Sequence, residues 1–228
     1  MTSIVVERMP ATLSLAVSAL VFALLVAFPL GVLSAVRNGS PLDHAARIFS
    51  QFGVSVPDFW MGILGIIVFA GTLGWLPPSG YTAFREDPVD WARHIVLPAV
   101  TVGLVTAAIL TRFIRSSVLE AMSEDYVRTA EGKGIRPRVV VVRHVLRNAL
   151  IPVVTVAAVQ LASLLGGVIV IEVLFAWPGI GRLTYDAVQA RDYPVLQGAV
   201  LLVAALFLLV NLLVDVLYAK LDPRISVR

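Results

Sequence analysis

At 228 residues the chain is 58% hydrophobic and 14% charged, with a mean hydropathy of +0.89, more apolar surface than a soluble domain of this size can hide. That leaves an integral membrane protein. It has no cysteine, which excludes disulfides and thiolate metal sites, and its formal net charge of +3 sits in basic clusters between apolar runs, as topology requires and nucleic-acid binding does not.

Five apolar runs follow in chain order, at about residues 11–36, 59–76, 95–114, 149–176 and 195–218. Each is long enough to cross a hydrocarbon core of roughly 30 Å at ~1.5 Å per residue. Backbone groups in lipid must be satisfied within the segment, so the runs are expected to be helices. The predicted fold is thus all-α: a single transmembrane domain over 1–228 with about five spans. The apolar stretch 49–56 leads into the second span, and Pro29, Pro57, Pro98 and Pro152 predict kinks or helix starts.

Basic residues orient the spans. Arg37 and Arg47 lie after the first span, Lys220, Arg224 and Arg228 after the fifth, and between Arg112 and Arg147 eight basic residues face four acids (Glu120, Glu124, Asp125, Glu131). These three stretches are expected on the cytoplasmic side, which puts the C-terminus inside and the N-terminus outside. The segments 77–94 and 179–194 balance Arg85, Arg93, Arg182 and Arg191 with acids. Trp75, Tyr81, Trp91, Trp177, Tyr185 and Tyr193 gather near the same outer ends, as an interfacial belt would. Residues 1–8 lack a basic n-region, an apolar h-region and a cleavage site, and Glu7 and Arg8 give little orienting bias. An external N-terminus therefore predicts a further span upstream; a complete five-span chain is the alternative.

The charged segment 120–148 between spans three and four reads as two short helices around a turn. Residues 120–133 favour helix, with Asp125/Arg128 and Thr129/Lys133 at facing spacings. Gly134 suits a helix stop and Pro137 the first turn of the next helix, whose apolar body is 139–142. Ala130 and Gly134, four apart, predict a flat patch for close approach of another protein. An amphipathic helix on an anionic leaflet is the competing reading, and the residues leave both open.

Few residues suggest chemistry. Gly132-Lys133-Gly134 lacks the glycine spacing, hydroxyl residue and preceding strand of a phosphate loop, so nucleotide is expected on a partner. His44, His94 and His144 fall in separate segments, and no nucleophile–base arrangement stands out, so the chain is not expected to be an enzyme. Glu172 lies in the apolar fourth run, where a lone carboxylate is costly. It either faces a pathway or is tied to a donor on a neighbouring helix, and the nearby Trp177-Pro178 favours the structural role. Asn211 and Asp215 read as an inter-helix polar contact, Asp58 as a helix-start residue, and Arg112 and Arg115 as snorkelling anchors. Residues 177–181, WPGIG, read equally as an outer gate or a loop.

Longer motifs carry a resemblance. DYVRTAEGKG (125–134) followed by RHVLRNALIPVVT (143–155) resembles the cytoplasmic loop of permease subunits from ATP-binding-cassette (ABC) importers, and more narrowly the dipeptide/oligopeptide/nickel permease family. RMPATLSLA (8–16), GVSVPDFWMG (53–62), LGWLPPSGY (73–81), FAWPGIGRL (175–183), RDYPVLQG (191–198) and NLLVDVLYAKLDPRI (211–225) agree, the last two resembling the first of the family's paired permeases. Members begin with a further N-terminal span and an external domain. The wider superfamily favours Glu-Ala-Ala and a later Gly where this chain has Arg128, Thr129, Ala130 and Gly134, a variation similar to the peptide subgroup.

The resemblance implies a cytoplasmic coupling helix that docks on a separate ATPase and transmits its closure to spans that rock as bodies. Thr129, Ala130, Lys133 and Gly134 would form the helix and its stop, within a wider contact including Asp125, Tyr126, Arg128, Arg143 and Asn148. It further implies a bacterial or archaeal cytoplasmic membrane and peptide-like cargo. The implied partners are a second permease subunit, two ATPases holding ATP and Mg, and an external substrate-binding protein. The chain itself would need no cofactor and bind no nucleic acid. An ion-coupled secondary transporter is the alternative, though internal repeats typical of that class are not evident.

Overall fold

The computed structural model describes residues 2–221, with the side chains of 2, 3, 167, 215 and 217–221 excepted. The side chains of Asp215, the predicted partner of Asn211, and of Lys220 therefore lie outside those described, and Arg224 and Arg228 lie outside the described residues. Among the described residues every regular element is helical: α1 (Thr2–Val36), α2 (Pro41–Ser55), α3 (Asp58–Gly65) running into a π-helical stretch (Ile66–Thr72), α4 (Pro88–Ser123) and α5 (Asp125–Gly132). Then α6 (Pro137–Val139) passes through a second π-helical stretch (Val140–Val145) into α7 (Leu146–Gly167), followed by α8 (Ile169–Leu174), α9 (Ile180–Ala190) and α10 (Tyr193–Leu221). Among the described residues four helices are long and apolar enough to cross a membrane, Ile4–Val36, Pro88–Ser123, Pro137–Gly166 and Tyr193–Val214; α2 and α3, bent by 101°, supply a fifth crossing if the pair is one broken span.

The centre of the bundle is α1 against α4. Ala16, Ala19, Ala23 and Ala27 are fully buried along one side of α1, and small side chains let the two backbones approach closely. A Cβ on Gly103 would stand 2.7 Å from Phe22 and 2.8 Å from the Ala19 carbonyl, and one on Gly31 would stand 2.8 Å from Ile114. Gly53 of α2 meets α4 in the same way, 2.6 Å from the Ala108 Cβ. By contrast α10 leaves Leu201, Leu208, Leu212 and Leu213 exposed, the surface expected of a helix facing lipid or another subunit.

Several boundaries differ from the sequence-based expectation. The first helix begins at Thr2 and carries Pro10 within it. The lead-in 49–56 belongs to a separate helix, α2, that ends at Val56 (φ −91°, ψ 127°) because the following Pro57 disfavours the helical region, and α3 starts after Pro57 as expected. Residues 120–133 are not one helix: α4 runs to Ser123 and Glu124 is extended (ψ 149°). The Ser123 hydroxyl donates to the Glu120 carbonyl (2.7 Å), a local bond that competes with helix continuation. The apolar piece 139–142 is the first part of the fourth crossing rather than a separate helix. That crossing does not reach 176 unbroken; it stops at Gly166-Gly167, glycine being the poorest helix former after proline, and Val168 (φ −89°, ψ 13°) turns the chain into α8. The segment 179–194 contains α9 rather than a plain loop.

Candidate functional site: the coupling helix and two buried polar knots

α5 is short and amphipathic. Val127 and Ala130 are buried against Ala121, Val140 and Val145, while Tyr126, Arg128, Thr129, Glu131, Lys133 and Gly134 are exposed. Its start is polar, with Asp125 in the first turn, a favourable place for an acid beside unpaired N–H groups. Its end is a Schellman motif: the Ile135 N–H donates to the Ala130 carbonyl (3.3 Å) and the Gly134 N–H to the Glu131 carbonyl (2.9 Å), with Gly134 at φ +74° where a side chain is strained. Ile135 packs on the same apolar cluster as Ala130, completing the hydrophobic contact of that motif. The helix is thus clamped at its exit and glued from below, a rigid peg on the end of α4.

This geometry corrects one expectation. Ala130 points into the chain's own core, so Ala130 and Gly134 do not form an open flat patch; the accessible face carries Arg128, Thr129 and Lys133. Asp125 and Arg128 approach to 3.8 Å with both side chains largely in solvent, a pair worth little in water. Arg143 and Asn148 are exposed nearby along the chain, in the π-helical stretch and α7. Within the apolar body 139–142, sequence reading did not foresee that Val139 and Val142 stand 43% and 67% exposed among the arginines. The signal was present, since four consecutive valines cannot all face inward on a helix.

At the opposite end of the bundle Glu172 is fully buried. Its carboxylate accepts from the Thr12 hydroxyl (2.7 Å) and the Arg182 backbone N–H (2.9 Å), and the Thr12 oxygen in turn accepts from the Ile180 N–H (2.8 Å). These N–H groups belong to the first turn of α9 and have no partner within their own helix. A carboxylate against that positive end is favourable. The glycines of WPGIG follow from close packing: a Cβ on Gly179 would lie 2.0 Å from Glu172 Oε1, and one on Gly181 2.8 Å from the Ile169 Cα and 3.0 Å from Glu172 Oε2. Trp177, fully buried, donates from Nε1 to the Ala11 carbonyl (2.8 Å) and meets Tyr81 edge-on at 4.8 Å. It is a core residue and not part of an interfacial belt. The Arg182 guanidinium closes the turn on the Ala176 carbonyl (2.7 Å), where Ala176 has φ 54°. Glu172 is thus tied to donors on α1 and α9, and the motifs 8–16 and 175–183 meet in one knot.

A second knot lies near the α5 end. Arg115 is not a snorkelling anchor: its Nε and Nη2 donate to Asp43 at 2.6 and 2.9 Å, and Asp43 is fully buried. Asp43 also accepts from the Ser34 hydroxyl (2.8 Å) and the Gly39 N–H (3.0 Å), while Arg115 Nη2 reaches Asn38 Oδ1 (3.0 Å). The fork joins the end of α1, the start of α2 and α4. Residues 72 positions apart carry no pairing signal in sequence. Asp58 does stand at its helix start, with Oδ1 accepting from the Phe59 N–H (2.7 Å).

A family model described as the inner membrane component of binding-protein-dependent transport systems matches residues 27–227. The dipeptide transport system permease DppB of Escherichia coli K12 is 43% identical over 243 aligned residues, covering 96% of this chain and 72% of that protein. The di/tripeptide transport system permease DppB of Pseudomonas aeruginosa UCBPP-PA14 is 43% identical, covering 95% and 70%. Among solved structures, the inward-facing methionine ABC transporter MetNI superposes with a TM-score of 0.78 at 20% identity, covering 97% of this chain and 98% of that one. An amino acid ABC transporter with histidines gives 0.67 at 13% identity, covering 98% and 95%. The fold is therefore that of ABC permeases, whose ATPase activity lies on partner subunits. With the family matched over most of its length, the chain belongs to the inner-membrane components of binding-protein-dependent transport systems.

Proposed function

We propose that this chain forms half of the translocation pathway of an ATP-driven importer for peptides or similar small solutes. A second permease supplies the other half, an external binding protein delivers the solute, and two ATPase subunits hold ATP and Mg, so this chain carries no cofactor of its own. The observation that carries the reading is the 43% identity, across nearly the whole chain, to permeases named for di- and tripeptide transport. The same likeness argues against an ion-coupled secondary transporter. In this reading α5 is the coupling helix, facing the cytoplasm with the C-terminus, and the N-terminus of the chain faces outward. Asp125, Tyr126, Arg128, Thr129, Lys133 and Gly134 meet the ATPase, Arg143 and Asn148 extend the contact, and Ala130 supports the helix from beneath.

The absence of cysteine makes the test direct. Single cysteines at Thr129 and Lys133 are expected to crosslink to an ATPase subunit that co-purifies with the chain, with a yield that changes on adding ATP. Cysteine at Ala130 should stay unlabelled. Vesicles containing the assembled complex should accumulate di- or tripeptides only with ATP and the binding protein. Cysteines at Thr129 and Lys133 that label freely yet never crosslink would remove the docking role, and gradient-driven uptake without ATP would favour ion coupling.

A further inference from the structure

We infer that the Arg115–Asp43 fork is a positioning contact that makes the α1–α2 corner move with α4 when the coupling helix is displaced, and so sets how much transport each ATP drives. The inference rests on the function proposed above.

Arg115 lies on α4, which runs without a break to Ser123 and hands over to α5 after Glu124 alone. At ~1.5 Å per residue, the guanidinium stem is about 12 Å from the end of that lever. On the other side Asp43 is held by Ser34 from the last turn of α1 and by the Gly39 N–H in the turn before α2. The pair is therefore a crossbar between the element that would receive the push and the α1–α2 corner. Elsewhere α1 and α4 meet through apolar packing, with Phe22 against Gly103 and Ile114 against Gly31. Apolar packing is non-directional and by itself fixes the rotation of the helices about one another less tightly than a polar contact. A bidentate fork does fix it, because both N–H···O bonds must stay aligned.

Stability alone does not call for an ion pair here. An apolar pair of similar volume is commonly as stable as a buried salt bridge, or more so. What the fork adds is a single orientation of the corner on α4. This separates a coupling role from a merely structural one.

The test uses the assembled transporter purified through a tag on this chain, reading ATP hydrolysis and solute uptake in the same vesicles. Arg115→Lys keeps the charge and loses the fork; the double variant Asp43→Leu/Arg115→Met replaces the pair with apolar side chains. Both complexes are expected to assemble and to hydrolyse ATP within about twofold of the parent, while uptake per ATP falls about 3- to 30-fold, the span typical of coupling lost through a network residue. If the apolar pair transports with the parent's uptake per ATP, packing is all the site provides and the inference fails. It fails equally if neither variant assembles, or if hydrolysis and uptake fall in proportion. A parent complex that shows no ATP-driven uptake would instead overturn the proposed function, and this inference with it.

Discussion

Gly179→Ala is the sharpest probe of the Glu172 knot. Gly179 has φ −91° and ψ −176°, a backbone any residue adopts, so the glycine is required for space alone. A methyl there would stand 2.0 Å from Glu172 Oε1 and 2.2 Å from its Cδ, and the carboxylate has to leave. In doing so it gives up the hydrogen bonds from Thr12 and Arg182 and leaves buried polar groups unsatisfied, at about 1–3 kcal/mol each. The expected loss is about 3–5 kcal/mol, or roughly 10 °C in melting midpoint for a chain of this size. Gly166→Ala is the control, because its nearest neighbour beyond the helix is Val203 at 3.9 Å, and alanine in a helix is favoured over glycine by up to ~1 kcal/mol. Heating detergent-solubilised protein and following the monodisperse fraction by gel filtration would separate the two. Glu172→Ala should cost a similar amount, and Gly179→Ala added to it should cost little more, since the clash is gone. A Gly179→Ala protein that melts with the parent, or effects that simply add, would refute the assignment of that glycine to the carboxylate.

Three further outcomes follow. Thr12→Val removes both the donor to Glu172 and the acceptor for Ile180 and should cost about 1–3 kcal/mol, whereas Thr12→Ser should be nearly neutral in the same melting assay. Gly53→Ala meets the Ala108 Cβ at 2.6 Å and should destabilise, while Gly65→Ala, with Leu97 at 3.5 Å, should not; the pair reports the α2–α4 approach against an ordinary contact. Gly134→Ala has open space but keeps φ +74°, a strain of about 1–2 kcal/mol. It should lower co-purification of ATPase subunits, with Gly134→Asn closer to the parent because asparagine tolerates this region.

Composition and apolar runs were sufficient to read an all-helical membrane fold, because lipid leaves the backbone few other solutions. The glycine stop of α5 was also legible, since Gly134 marks a helix end through local chemistry that needs no tertiary partner, whereas the break at Glu124 that starts α5 at Asp125 was not. The likeness to permeases was carried by contiguous motifs, which a linear reading can see. Which way Ala130 faces was not legible: a small residue suits an open contact and a buried seam equally, and only packing against Val140 and Val145 decides. The same holds for Arg115, whose place at the end of an apolar run matches a lipid anchor until α2 brings Asp43 beside it. Glu172 was visible as costly in an apolar run, but its remedy came from Thr12, 160 residues away. Local signals set the helices and their caps; long-range pairing of buried polar groups is settled only when helices distant in the chain are folded side by side.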